Sequence, residues 1–280
     1  MKVANTARLG IVVAGLAAAT GCIQFDDLFF PAERVDAYSL TYDIIPSNLV
    51  QEVVFETEDG QHLYGIWARQ EIPSPPLVFF HGNAGNIDDY WGRVEYYWNW
   101  NTHDVFIFDY RGYGKSEGTP EHDGIFGLDG FAATEYVATT SPYPDEQLWV
   151  GLSLGGGVAI HTAERSTPRA IVAEATYATA DDIIEDSLNL DLPAGWFFED
   201  PFDNVTAIAN ITSPILIIHG ADDDYIHPDS GQQLFDAAPD PKELWQPLGV
   251  GHNDIIEVMP ADYRGKIAEW YDAQGSPGSP

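Results

Sequence analysis

The stretch "VGLSLGGGVA", Val150–Ala159, places one serine between glycines at the predicted junction of a strand and a helix. Gly151, Ser153 and Gly155 match the pattern G-x-S-x-G, in which the serine sits on a sharp turn with its hydroxyl exposed. The alternative is an ordinary serine in a glycine-rich turn, because the pattern is too short to be specific. A nucleophile would require an acid and then a histidine later in the chain.

The segments around this turn alternate between strand and helix patterns. "LVQEVVFET" and "HLYGIWAR" flank a D-G turn and predict a β-hairpin. Continuous apolar runs further along are typical of strands buried on both faces. Predicted strands cover 76–82, 104–112, 147–153, 170–175, 214–220 and 243–248, and predicted helices cover 87–100, 127–139, 155–165 and 255–271. This order predicts an α/β fold with a mostly parallel central sheet and helices on both faces.

Candidates for the acid and the base follow the turn in the required order. Asp222, Asp223 and Asp224 come directly after the predicted strand 214–220, and His252 lies in a later glycine loop, "GVGHNDI". Catalytic groups of open α/β sheets gather at such strand ends. Glu174 ends the strand before a long insertion and is a rival for the acid. The residues alone leave this choice open.

Four stretches together resemble α/β-hydrolases, in particular the depalmitoylase-like and serine-aminopeptidase-like branch: "HGNAGN", "DYRGYGKSEG", "GLSLGG" and "HGADDDYI…GHNDI". The resemblance covers about Val50 to Tyr271. It implies Asp223 as the acid and His252 as the base of Ser153. It also implies an oxyanion hole built from the backbone N–H of Leu154 and a second N–H after "PLVFFHG". We place that second donor at Asn83, with Ala84 as the alternative.

The remaining polar residues of these motifs have structural interpretations. His81 and His219 each precede a glycine at a strand end, and the chain order excludes both as the base. Asp109, Arg111 and Ser116 are expected to hold their loop by hydrogen bonds. No cluster of His, Cys, Asp or Glu has metal-ligand spacing, and no dinucleotide or phosphate motif is present. The sequence therefore predicts an enzyme without cofactor or metal.

The resemblance and the strand pattern together divide the chain. Residues 22–48 are predicted to be a tether and N-terminal lead-in, 49–272 the α/β-hydrolase domain, and 273–280 a disordered tail. Within the domain, 176–213 is much longer than a usual connection and contains apolar residues, including Trp196. We expect a helical lid over an acyl pocket there. The alternative is a helical insertion packed permanently on the core.

The first residues have the pattern of an export signal. Lys2 and Arg8 precede an apolar run, Leu9–Thr20, that is too short to span a bilayer. The run ends in "ATGC", which resembles a bacterial lipobox, and Cys22 is the only cysteine in the sequence. We expect residues 1–21 to be a lipoprotein signal peptide and a lipidated Cys22 to anchor the protein at the cell envelope, on the outer membrane or periplasmic face. The alternative is a secretory peptide cleaved elsewhere.

Charge and chain order limit the function. Twelve basic residues against 44 acidic ones give a net charge of −32, which repels nucleic acid and anionic membrane surfaces. We expect a monomer that acts on a small-molecule or acylated substrate. The leading hypothesis is a serine hydrolase that cleaves carboxylic esters or thioesters through an acyl-enzyme on Ser153. A peptidase or amidase with the same triad and a non-catalytic envelope binding protein are the alternatives.

Overall fold

The computed structural model describes residues 32–120, 123–179, 181–182 and 203–275. Cys22 and the signal peptide, most of the predicted lid with Trp196, and residues 276–280 lie outside this part of the chain. The predicted anchor, lid and tail therefore stay predictions. No helix within the described residues has the length and apolar character needed to cross a membrane.

Strands and helices alternate after an N-terminal hairpin, as the sequence predicts. The strands are β1 Val50–Glu56, β2 His62–Ala68, β3 Pro76–Phe80, β4 Asp104–Phe108, β5 Leu148–Leu152, β6 Ala170–Glu174, β7 Ile215–Ile218 and β8 Lys242–Trp245. The helices are α1 Ile87–Trp98, α2 Phe126–Thr140, α3 Leu154–Ala163, α4 Asn204–Ile208, α5 Asp229–Ala237, α6 Ile255–Val258 and α7 Pro260–Ala273.

Within the residues that the structure describes, the strands form one eight-stranded sheet in the order β1-β2-β4-β3-β5-β6-β7-β8. β1 and β2 are antiparallel, β2 is antiparallel to β4, and every pairing from β4 to β8 is parallel. The predicted mostly parallel sheet is confirmed. β4, which follows β3 in the chain, pairs with one edge of β3, and the next strand, β5, pairs with the other edge. Ligands of open α/β sheets bind at such a switch point, beyond the carboxyl ends of the strands.

The central strands are buried on both faces. Successive residues of each strand point to opposite faces of the sheet and pack into two separate hydrophobic cores. Val78 and Phe80 of β3 pack into one core, with side chains from α2, α3 and α5. Leu77 and Phe79 of the same strand pack into the other, with side chains from α1 and α7. Apolar burial of this kind contributes about 25 cal/mol per Å². Helices therefore cover both faces, as the continuous apolar runs predict.

The helical pattern differs from the prediction in two places. The single helix predicted over 255–271 is two helices, because Pro260 removes a backbone donor and begins a new helix at its first position. Helix α5 was not predicted. It has only nine residues, and Leu234 is its one fully buried apolar side chain, so its pattern is short.

The loop after β4 is held by the polar residues predicted to hold it. The Ser116 hydroxyl donates to the Asp109 carbonyl at 2.7 Å. The Arg111 guanidinium pairs with Asp129 and Asp59. The Asp109 carboxylate accepts hydrogen bonds from Tyr38 Oη at 2.6 Å and from a backbone N–H at 2.9 Å. This structural role is confirmed.

Asp109 should make the stability of the protein depend on pH. Burial raises the pKa of its carboxyl to about 7, and the charges of Asp88 and Asp89 act in the same direction, while hydrogen bonds from Tyr38 and Ile87 oppose it. Between about pH 4 and pH 7 the folded protein therefore binds more protons at Asp109 than the unfolded chain does. The free energy of unfolding falls as pH rises through this window.

Asp109→Asn should remove this loss, because the amide has the same shape and does not ionise. Between pH 4.5 and pH 8 we expect wild type to lose about 3 kcal/mol of stability relative to the variant. His81 Nε2 lies 3.5 Å from Asp109 and shares its environment, so the variant also reports on that pair. Urea unfolding at both pH values measures the difference, with exposed Asp145→Asn as the control. Parallel pH profiles for wild type and Asp109→Asn would contradict the assignment.

Candidate active site

Ser153 occupies a strained turn between β5 and α3. Its backbone has φ 53° and ψ −116°, a region that residues with a side chain rarely adopt. A Cβ on Gly155 would lie 2.1 Å from the Phe80 carbonyl oxygen, and one on Gly151 would lie 2.4 Å from the Gly155 carbonyl oxygen. The flanking glycines therefore let the turn pack against the end of β3. This is the steric requirement that the sequence pattern predicts.

The structure brings His252 and Asp223 to this serine. His252 lies in the loop between β8 and α6, and its Nε2 is 3.2 Å from Ser153 Oγ. Asp223 lies in the loop after β7, and its Oδ2 is 2.8 Å from His252 Nδ1. Three loops at the carboxyl edge of the sheet thus supply a continuous hydrogen-bonded chain of hydroxyl, imidazole and carboxylate. In this geometry the carboxylate holds the imidazole with Nε2 facing the hydroxyl.

The Asp223 carboxylate is buried and held on both oxygens. Oδ1 accepts the backbone N–H groups of Tyr225 and Ile226, each at 2.9 Å. Burial would raise the pKa of Asp223, but hydrogen bonds from His219 and His252 outweigh it and hold the pKa well below its usual range. The group therefore stays ionised wherever the protein is folded near neutral pH, as an orienting acid requires.

His219 contributes more than its predicted place in a turn. Its Nε2 lies 3.0 Å from the Ile226 carbonyl oxygen, which can only accept, so this nitrogen carries the proton. The same nitrogen is 3.3 Å from Asp223 Oδ2. His219 and His252 therefore both contact the same oxygen of the Asp223 carboxylate. The sequence contains no signal for this contact beyond the spacing of four residues.

Glu174, the rival acid, is engaged elsewhere. The Arg93 guanidinium forms a bidentate pair with its carboxylate at 2.8 and 2.9 Å. The Tyr263 hydroxyl donates a further hydrogen bond to it at 2.6 Å. The structure brings Asp223, and not Glu174, to His252. Sequence reasoning missed both Arg93 and Tyr263, which lie far from Glu174 in the chain.

Of the residues named for the oxyanion hole, Leu154 directly follows Ser153, and Asn83 lies in the loop after β3. Leu154 is the first residue of α3, where a backbone N–H has no acceptor within the helix. Gly155 packs on the carbonyls of Phe80 and His81, which places the loop after β3 against the same turn. The Tyr113 hydroxyl fixes this loop by donating to the carbonyl and side-chain oxygens of Asn83, each at 2.9 Å.

Tyr90 also touches the loop after β3, at the position of the alternative donor. Its hydroxyl engages the backbone of Gly82 and Ala84 in hydrogen bonding. A Cβ on Gly82 would lie 2.8 Å from that hydroxyl, so the contact is close. The choice between Asn83 and Ala84 as the second donor therefore stays a prediction.

An exposed aromatic residue, Tyr225, completes the surroundings of the histidine. Its ring centroid lies 4.9 Å from that of His252, and the side chain is 47% exposed. It was not singled out by sequence reasoning. Within the described ranges, no group of three or more His, Cys, Asp or Glu side chains is arranged to hold a metal ion.

Comparison with known proteins agrees with this architecture. The model of the alpha/beta hydrolase fold family matches residues 75–202. The uncharacterized protein YfhR of Salmonella typhi is 30% identical over 261 residues, which cover 86% of this chain and 84% of the relative. The chain belongs to the α/β-hydrolase superfamily. The alpha/beta hydrolase domain-containing protein WAV2 of Arabidopsis thaliana is 28% identical to this α/β-hydrolase over 250 residues. The match covers 81% of the present chain and 79% of WAV2.

A solved structure shares the fold of this α/β-hydrolase. The Pyrococcus furiosus esterase Pf2001 matches with a TM-score of 0.73 at 20% sequence identity, over 86% of this chain and 97% of the esterase. At that identity the likeness concerns the fold. The predicted α/β-hydrolase fold is thus confirmed by the family model, by relatives and by structure.

Proposed function

We propose that this α/β-hydrolase is a serine hydrolase that cleaves carboxylic ester or thioester bonds through an acyl-enzyme on Ser153. The observation that carries the proposal is the chain Ser153 Oγ, His252 and Asp223, with contacts of 3.2 and 2.8 Å. The serine lies on a strained turn at the switch point of the sheet, where it is 9% exposed. The structural likeness to an enzyme described as an esterase supports an ester as the substrate.

In the first half of the proposed reaction, Ser153 Oγ attacks the substrate carbonyl and His252 Nε2 takes its proton. Asp223 stabilises the imidazolium that forms and does not itself take a proton. The N–H groups of Leu154 and Asn83 hold the negative oxygen of the tetrahedral intermediate. Each such donor is worth about 2.7–4 kcal/mol in the transition state.

In the second half, the intermediate collapses to an acyl-enzyme and His252 gives its proton to the leaving oxygen or sulfur. Water then attacks the acyl carbonyl while His252 takes a proton from it. The same donors hold the second tetrahedral intermediate, which releases the carboxylic acid and restores the Ser153 hydroxyl. All these steps use side chains and backbone groups of this chain.

The test combines a mechanism-based probe with a substrate panel. A fluorophosphonate should label the protein on Ser153, identified by peptide mass, and p-nitrophenyl esters should be hydrolysed. Thioesters and peptide amides of the same acyl group then separate the esterase from the alternative peptidase or amidase. A protein that takes up no fluorophosphonate and cleaves none of these substrates would instead be the non-catalytic envelope binding protein.

We further propose that a lipid on Cys22 anchors the enzyme at the cell envelope. One acyl chain gives only marginal membrane binding, about 10⁴ M⁻¹, whereas several chains anchor stably. Cys22→Ser should therefore move the protein from the membrane fraction to the soluble fraction or leave it unprocessed. Fractionation with mass analysis of the mature N-terminus measures this, and wild-type protein found without lipid in the medium would contradict the anchor.

A further inference from the structure

A cavity of about 360 Å³ is lined by chain neighbours of the proposed catalytic residues. Its lining includes Leu152, which precedes Ser153, and Asn253, which follows His252. His252 must give its proton to the leaving group, so that group lies on the histidine side of the serine. Ile256 and Glu257, from the helix just after His252, form this side of the cavity.

The floor of the cavity is rigid and nearly uncharged. Arg93 is the one cation among the described lining residues, and the bidentate pair with Glu174 neutralises it. Its Nη2 also donates to the Asn253 carbonyl at 3.2 Å, which ties the floor to the loop that carries His252. Arg93 therefore holds the cavity in shape and offers little free positive charge to an anionic ligand.

The rim and one wall of the cavity favour positive charge. Asp89 and Glu257 are both exposed there, and Asp89 is fixed by accepting the Asn86 backbone N–H at 3.0 Å. The Tyr90 ring also lines the cavity and is stacked on His81 with centroids 5.1 Å apart. An aromatic face and two carboxylates attract a cation, and the net charge of −32 acts in the same direction.

We infer that this cavity is the leaving-group subsite, and that it takes cationic or uncharged alcohols, with cationic ones favoured, and disfavours anionic leaving groups. The inference rests on the proposed serine hydrolase and narrows its substrates. Esters of ammonium-bearing alcohols are the preferred class. Thioesters whose thiol carries phosphate groups are the disfavoured class.

Three esters with one acyl group test the inference. Butyrylcholine is cationic, 3,3-dimethylbutyl butyrate is its uncharged isostere, and 2-sulfoethyl butyrate is anionic. In low salt, kcat/KM should fall in that order, with about tenfold or more between the cation and the anion. In about 0.5 M salt the difference should shrink, because rim carboxylates are screened. Equal kcat/KM for the three esters in low salt would overturn the inference.

Substitution at the rim assigns the effect to the cavity. Glu257→Gln should lower the cation-to-anion ratio of kcat/KM by about threefold, and Glu257→Lys should lower it further. Glu269→Gln, an exposed change on α7, removes the same charge from the protein and should leave the ratio unchanged. Equal shifts from Glu257→Gln and Glu269→Gln would show that overall charge, and not this cavity, selects the substrate.

A second readout separates this inference from the proposed function. Methylphosphonothioates that carry thiocholine or its uncharged carbon isostere should react with Ser153 at different rates, the cationic one faster, even without ester turnover. Absence of any phosphonylation means that the proposed serine hydrolase is wrong. Phosphonylation at equal rates means that the nucleophile is real and the charge-selective subsite is wrong.

Discussion

Replacing Ser153 with alanine should lower kcat/KM by about 10⁶-fold, the loss seen when a triad nucleophile is removed. The hydroxyl is the atom that would form the acyl bond, and Ser153 Oγ is in contact with His252. Alanine has no side-chain atom that could form this bond. The turn should survive, because the flanking glycines, and not the hydroxyl, permit its close packing on β3.

The measurement is hydrolysis of p-nitrophenyl esters together with fluorophosphonate labelling and circular dichroism. Ser166→Ala, at the far end of the helix that Ser153 begins, is the matched control and should behave as wild type. Continued labelling of Ser153→Ala would mean that another serine is the nucleophile. Loss of activity together with loss of folded signal would assign Ser153 a structural role.

Replacing Asp223 with asparagine should lower kcat by about 10⁴-fold, nearly as much as His252→Ala. The asparagine carbonyl can still accept the N–H groups of Tyr225 and Ile226. Its amide would then face His252 Nδ1 as a donor, and the imidazole would adopt the tautomer in which Nε2 cannot accept the serine proton. The loss should thus fall on the chemical step and leave the fold intact.

Glu174→Gln is the comparison that decides between the two acids. It weakens the pair with Arg93 and the contact with Tyr263, so we expect a loss of stability of about 1–3 kcal/mol. Its kcat should remain within about tenfold of wild type, since Glu174 does not touch His252. Inactive Glu174→Gln alongside active Asp223→Asn would transfer the role of the acid to Glu174.

The sheet could be predicted from the sequence because its strands are apolar on both faces. β3 to β6 are buried along their whole length, so periodicity, length and flanking glycines all indicate the same structure. The meeting of Ser153, Asp223 and His252 could also be predicted, since each follows a strand of one parallel sheet. Local pattern and topology predict the sheet and the edge where these residues meet, whereas the choice of Asp223 over Glu174 depends on the resemblance to α/β-hydrolases.

The contacts around the site could not be predicted in the same way. Arg93 reaches Glu174 across 81 residues, and Tyr263 reaches it across 89. Such pairs form because two helices pack on the same end of the sheet, and no local pattern specifies which polar side chains then meet. The break at Pro260 is different in kind, because proline within a helical pattern signals a boundary. That signal was present and was missed.

The three catalytic candidates follow strands that differ in how well the sheet holds them. Ser153 ends a central strand with partners on both sides, whereas His252 follows β8, a four-residue edge strand paired only with β7. Edge elements open at a lower free energy than the domain as a whole. Transient detachment of β8 would carry the histidine away while the serine turn stays folded. We therefore expect heating to fray this edge first, so that activity is lost before the global unfolding transition.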